Sequence, residues 1–206
     1  MQFLPHKHFQ EYEEIKSSNL NVLESFYKKA GLRSPAIDCN MITFDASMRL
    51  NMEMGPKHGD DLYHYPSGEI FEAKSIDLNQ DKVSRGFTLT FAPTPKVLER
   101  LDSTNFVFIE YKVLTIENMR ICGPGIFSDY IAHWKYLISI GKGTGGCRIA
   151  RNEVKQRTTL IYTKEDGVVN SEYWANSGSI KEWLSGSKGR LERKDDVLDA
   201  CLKFKI

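Results

Sequence analysis

The stretch Asp60-Asp61-Leu62-Tyr63-His64-Tyr65-Pro66-Ser67-Gly68-Glu69-Ile70-Phe71-Glu72-Ala73-Lys74-Ser75-Ile76 decides how the chain is read. Tyr65 to Gly68 carries proline at the second position of a turn, where its fixed φ already suits, and glycine at the fourth. Glu69 to Ile76 then alternates in polarity, the period of a half-buried strand. Together these features predict a β-hairpin. In its second strand Glu72 and Lys74 share one face while Phe71 and Ala73 take the other, because successive strand side chains point to opposite sides. Pairing outward from a turn at 65–68 places Asp61 opposite Glu72 on the same side, with β-carbons about 4.5–5.5 Å apart. Two carboxylates at that separation can share one divalent cation. A one-residue bulge in the turn would present Asp60 in place of Asp61.

Two acids and a lysine in this arrangement suit phosphodiester hydrolysis. That reaction needs a cation to neutralise transition-state charge, carboxylates to hold it, and a group that orients or deprotonates the attacking water. The tripeptide Glu-x-Lys alone is weak evidence, since it recurs at Glu14, Glu110, Glu153 and Glu192. A rival set is Asp102 with Glu110 and Lys112, but no hairpin folds Asp102 back onto Glu110, and the end of a helix is the expected place for that aspartate. A solvated cross-strand ion pair is the alternative reading of Glu72 and Lys74.

Outward from the hairpin, Pro5–Lys16 and Leu20–Ala30 show helical spacing, the second helix ending at Gly31. Residues 32–58, rich in methionine and broken by Gly55-Pro56, are expected to form a loop and a strand. Pro93–Leu101 predicts a helix, Asn105–Ile116 one long apolar strand, Ser128–Ile140 a helix, and Thr158–Tyr162 a strand. Ser179-Ile-Lys-Glu182 fits a capping box at a further helix start. Strands interleaved with helices predict an α/β fold with a mixed central sheet flanked by helices.

Composition narrows the class. With 206 residues, 41% hydrophobic and 27% charged, the chain matches folded domains and excludes whole-chain disorder or coiled coil. No apolar run approaches the ~18 residues of a membrane span, so no membrane partner is expected. Met1–Glu14 lacks a basic and then apolar leader, and Cys39, Cys122, Cys147 and Cys201 show neither CxxC nor disulfide-framework spacing. The expectation is a cytoplasmic protein with reduced thiols. Net charge is only +1, so any nucleic-acid surface must be local. From His133 to Arg157 there are six basic residues (Lys135, Lys142, Arg148, Arg151, Lys155 and Arg157) against Glu153 alone. The loop Gly141-Lys142-Gly143-Thr144-Gly145-Gly146 lacks Walker spacing, which excludes a nucleotide cofactor there. Its amides and Lys142 could approach a phosphate.

Three segments carry a family resemblance: Met54-Gly-Pro-Lys-His-Gly-Asp-Asp61, Gly68-Glu-Ile-Phe-Glu72-Ala-Lys74-Ser-Ile76 and Arg85-Gly-Phe-Thr88. They resemble the catalytic core of PvuII-type restriction endonucleases of the PD-(D/E)xK nuclease superfamily. The likeness extends back to Pro5-His-Lys-His-Phe-Gln-Glu-Tyr12 and forward through Phe106–Tyr111 to about His133-Trp134. It implies a restriction-endonuclease-like fold, Mg2+ held by Asp61, Glu72 and the Ala73 carbonyl, and Lys74 orienting the water. It also implies a type II, sequence-specific endonuclease of double-stranded DNA, a homodimer matching a palindromic site. Residues 1–206 then form a single nuclease domain. Within it, 1–31 would serve dimerisation, 54–116 the catalytic core, 133–162 DNA recognition, and 163–206 an extension of unassigned role. The expected DNA contacts are Arg85, Thr88, Thr90, Lys142, Arg148, Arg151 and Asn152, with Arg151-Asn152 in a segment that resembles the family's major-groove reader. Where the family has base-reading histidines, this chain has Leu89-Thr90-Phe91-Ala92. The alternatives are a structure-selective repair or recombination nuclease of the same superfamily and a non-catalytic DNA-binding module.

Overall fold

The structure, a computed structural model, describes residues 39–54, 61–64, 69–79, 86–112, 115–143 and 145–167, together with helical positions 10, 13, 14, 17 and 18. In chain order the elements are α1 (Cys39–Leu50), β1 (Glu53–Met54), β2 (Leu62–His64), β3 (Glu69–Asp77), β4 (Gly86–Thr90) and α2 (Pro95–Asp102). They continue as β5 (Asn105–Lys112), β6 (Thr115–Cys122), α3 (Ser128–Ser139), β7 (Cys147–Ala150), α4 (Arg151–Arg157) and β8 (Thr159–Thr163). Six strands form one sheet in the order β1-β2-β3-β5-β6-β8, and β4 pairs with β7 in a separate two-stranded sheet. β3 and β5 run parallel and the remaining neighbours antiparallel. The fold is therefore mixed α/β with helices against the sheet, the expected class.

Alternation along the central strands builds two cores. Phe71 and Ala73 of β3 and Val107 and Ile109 of β5 pack with Ile42, Ala46 and Leu50 of α1. Ile76, Phe106 and Phe108 face the other way, onto Leu98 and Leu101 of α2, Ile131 and Trp134 of α3, and the β4–β7 ribbon through Phe87, Leu89 and Ile149. Phe108 sits at the centre of this second layer, with edge-to-face contacts to Phe87 at 5.0 Å and Phe127 at 5.7 Å. α2 begins at Pro95 for physical reasons: the proline occupies the first turn, and the Thr94 hydroxyl accepts the amide of Val97 at 3.2 Å.

Several expectations need correction. The loop and strand expected over 32–58 contain instead the helix α1, followed by the two-residue β1. Ile42, Ala46 and Leu50 form its apolar stripe, but polar Thr43, Asp45, Ser47 and Arg49 are buried beside them and hide the period. The single strand expected over 105–116 is two: β5 ends at Lys112 and β6 returns antiparallel to Cys122. β7 and α4 were not expected, because α4 buries only Val154. The helix expected over 93–101 spans Pro95–Asp102, and the C-terminal strand spans Thr159–Thr163. The second N-terminal helix, the turn at 65–68, the capping box at Ser179 and the chain beyond 167 lie outside the described residues. Among the described residues no helix is long and apolar enough to cross a membrane.

The ribbon depends on close backbone approach at Gly86, paired with Ala150. A β-carbon there would lie 2.0 Å from the Ile149 carbonyl oxygen, and backbone cannot step aside as a side chain would. Gly86→Ala is expected to lower the free energy of unfolding by about 1–3 kcal/mol, the usual cost of overpacking, measured by urea denaturation.

Candidate active site

The β2–β3 register places the acidic pair. Leu62 is opposite Phe71, Tyr63 opposite Ile70 and His64 opposite Glu69, the register expected for a turn at 65–68. Leu62 and Phe71 are both fully buried on the α1 side. Residues next to them in sequence therefore point to the opposite face, which brings Asp61 and Glu72 together. The Ala73 amide donates to Oδ2 of Asp61 at 2.9 Å, tying the aspartate to the strand that carries the glutamate. On β3, Lys74 Nζ donates to Oε1 of Glu72 at 2.7 Å, and from α2 Arg100 Nη1 donates to Oε2 at 3.3 Å. Phe106 and Phe108, the β5 neighbours of Glu72 and Lys74, form the apolar wall beside them. Asn105 clamps the head of β5 to β3, its Nδ2 donating to Glu69 Oε2 and the Ile70 carbonyl, both at 2.9 Å.

Burial, and after it the charge of Glu72, raises the Asp61 carboxyl above its ordinary value of 3.8, against the opposing pull of the Ala73 amide, Lys74 and Arg100. Two carboxylates thus repel one another in a partly desolvated place, where an added cation would relieve the repulsion. This donor set fits a hard divalent ion such as Mg2+, with carboxylate oxygens from Asp61 and Glu72. The N–H and C=O of one extended residue project to the same side of the strand, so the Ala73 carbonyl is turned toward the Asp61 edge as a third oxygen. Among the described residues no group of three or more His, Cys, Asp or Glu side chains is assembled for a metal. Water and a substrate phosphate would have to complete the shell, the usual arrangement for Mg2+.

The rival set is not brought together. Asp102 accepts the Ser128 hydroxyl at 2.6 Å at the end of α2. Glu110, 2% exposed, is gripped by both Nε and Nη2 of Arg151, the latter at 2.7 Å, and by Asn118 Nδ2 at 3.0 Å. Burial pushes the Glu110 carboxyl up, but these hydrogen bonds and the Arg151 and Lys155 charges outweigh it and hold it below its ordinary value. Lys112 stands at the exposed end of β5.

Of the expected DNA contacts, Arg85 lies outside the described residues, as do Asp60 and His58. Thr88 and Arg148 are directly opposed across the β4–β7 ribbon, and Thr90 faces Cys147. The Thr90 hydroxyl accepts the Ala92 amide at 3.3 Å. Lys142, Arg148 and Asn152 are exposed. Arg151, expected to reach a base, has its guanidinium on Glu110, because a carboxylate buried on β5 requires a counter-ion. Arg157 is likewise engaged within the fold, paired with Asp129 at 2.8 Å and Glu153 at 3.0 Å and stacked over Tyr130 and Phe127. Arg100 is the residue that the reading of the sequence missed. It sits 28 positions from Glu72, and only the β3–α2–β5 crossover reveals their meeting. No protein-family model matches the chain, and no curated protein matches it.

Asp61→Asn keeps an oxygen for the Ala73 amide and removes the repulsion. A carboxyl whose folded pKa is raised holds its proton more tightly in the native state, so it costs stability once pH climbs through that raised value. In the absence of divalent ions Asp61→Asn is expected to raise the urea midpoint at neutral pH. The gain should vanish below the ordinary value of 3.8, as a series of unfolding curves against pH will show.

Proposed function

We propose that the chain is a Mg2+-dependent endonuclease of the type II restriction class, hydrolysing phosphodiesters of double-stranded DNA at a short palindromic site. The observation that carries this reading is the convergence of Asp61 and Glu72 across the β2–β3 pair with Lys74 Nζ 2.7 Å from Glu72. Asp61, Glu72 and the Ala73 carbonyl would hold the cation. When bound, Mg2+ supplies charge neutralisation at the phosphate and acidifies coordinated water. Lys74, fixed by Glu72 and walled by Phe106 and Phe108, orients the attacking water and stabilises the hydroxide as its proton leaves. The water oxygen bonds to phosphorus as the P–O3′ bond breaks, and the departing oxygen takes up a proton, leaving 5′-phosphate and 3′-hydroxyl ends.

The β4–β7 ribbon and the start of α4 are the DNA-reading face in this proposal. Thr88, Thr90 and Arg148 stand on the ribbon, Lys142 and Asn152 are exposed in the segments before and after β7, and Arg85 precedes β4 in the sequence. Exposed Arg148 suits guanine and Asn152 suits adenine, while Arg151, by anchoring α4 to Glu110, sets where Asn152 stands. A palindromic target implies a homodimer, with residues 1–31 as the dimerising segment and a restriction-endonuclease-like fold in each protomer. A competing reading, a DNA-binding module with a structural acidic hairpin, draws on Glu72 already being paired with both Lys74 and Arg100.

Incubation with a long natural duplex of known sequence separates these readings. With Mg2+, discrete fragments with mappable ends are expected. Lys74→Ala should slow cleavage by about 10²–10⁴-fold, the range for loss of a positioned proton-transfer group, with DNA binding in Ca2+ retained. Intact duplex left uncut while branched or flapped DNA is cleaved would indicate a structure-selective nuclease. Binding in Ca2+ without any cleavage in Mg2+ would leave the binding module standing.

A further inference from the structure

Glu72 is held by two cations of different character. Lys74 comes from the same strand and is enclosed, its side chain 16% exposed, whereas Arg100 reaches in from α2 with its side chain 51% exposed. The mount of Arg100 is rigid. Leu98 and Leu101 on either side are buried, the Arg100 carbonyl accepts the Ser103 amide at 3.1 Å and the Thr104 hydroxyl at 2.6 Å, and Asp102 is fastened to Ser128. A planar guanidinium on such a base, more exposed than Lys74, can grip a phosphate through two parallel hydrogen bonds, a fork that a point-charge ammonium cannot make. Lys74 already takes Oε1 of Glu72 and Arg100 takes Oε2, so a divalent ion bound by Asp61 and Glu72 would compete with one of these cations for a Glu72 oxygen. The more exposed Arg100 is the one with somewhere to go.

We propose that Arg100 is a catalytic phosphate clamp that doubles as a guard of the cation site. Without a divalent ion its guanidinium occupies Oε2 of Glu72. With a divalent ion held by Asp61 and Glu72, Arg100 would be released to a non-bridging oxygen of the scissile phosphodiester. This deepens the nuclease reading and rests on it.

The test uses the full chain and two readouts. In calorimetric Ca2+ titration without DNA, Arg100→Ala should bind Ca2+ about three- to fivefold more tightly than wild type, the scale of an exposed ion pair removed from competition. Arg100→Lys, which keeps the charge, should stay near wild type, and Asp61→Asn should lose the binding, assigning it to this site. In Mg2+-dependent cleavage, Arg100→Ala should lower kcat by about 10²-fold, as for a deleted charge-stabilising donor, with only partial rescue by lysine. Should Arg100→Ala fail to fold, Arg100→Gln carries the same comparison. Unchanged or weaker Ca2+ binding overturns the guard, and full cleavage by Arg100→Ala where Lys74→Ala is inactive overturns the clamp. A wild-type protein that binds DNA but never cuts defeats the nuclease reading itself and the clamp with it, a result distinguishable because Lys74→Ala is then silent too.

Discussion

The pairing of Leu62 with Phe71 is the constraint on which the candidate site depends. Both side chains are fully buried against α1, each contributing about 1.5–3 kcal/mol of hydrophobic stabilisation. A slip of one residue would turn Leu62 away from that layer and Asp61 with it, because the strand period is two. An apolar contact on one side of the sheet thus sets the separation of two carboxylates on the other. The Ala73 amide, donating to Asp61 from the neighbouring strand, then closes the arrangement.

Electrostatics balance what burial costs. Bringing two acids together beneath a helix is unfavourable unless cations or hydrogen bonds compensate, and Lys74 and Arg100 do so at Glu72. The same logic operates a short way along the sheet at Glu110, where Arg151 and Asn118 satisfy a carboxylate that would otherwise stand unpaired in the core. The two acids of the central strands differ in what surrounds them. Glu110 is locked by a bidentate arginine, whereas Glu72 shares its region with a second carboxylate whose proton affinity is raised. In the proposed reading, that difference separates a structural carboxylate from a candidate cation ligand.

The β2–β3 pairing and its acids were legible in the sequence because local chemistry decides them: Phe71 and Ala73 alternate cleanly with Glu72 and Lys74, and the register matches the one expected from a turn at 65–68, itself outside the described residues. α2 was legible as a helix near Pro93–Leu101, but its start at Pro95 behind the Thr94 cap was not. α1 was not, since buried Asp45 and Arg49 pair with each other at 3.3 Å and a buried ion pair reads as solvent-facing polarity. The β5–β6 break was hidden because apolar and β-branched residues continue on both sides of it. Arg151 looked like a nucleic-acid contact from its basic neighbourhood, but the carboxylate that takes it lies 41 positions away. Arg100 was invisible for the same reason. Long-range partners follow from the crossover between β3 and β5, which no local pattern announces.

Whether Asp61 and Glu72 jointly bind a divalent ion can be seen by anomalous diffraction from crystals soaked in Mn2+. A peak is expected within about 2.0–2.6 Å of a carboxylate oxygen of each residue, with the Glu72–Arg100 contact opened. A map with no peak there, and with Lys74 and Arg100 still holding Glu72, would contradict joint binding.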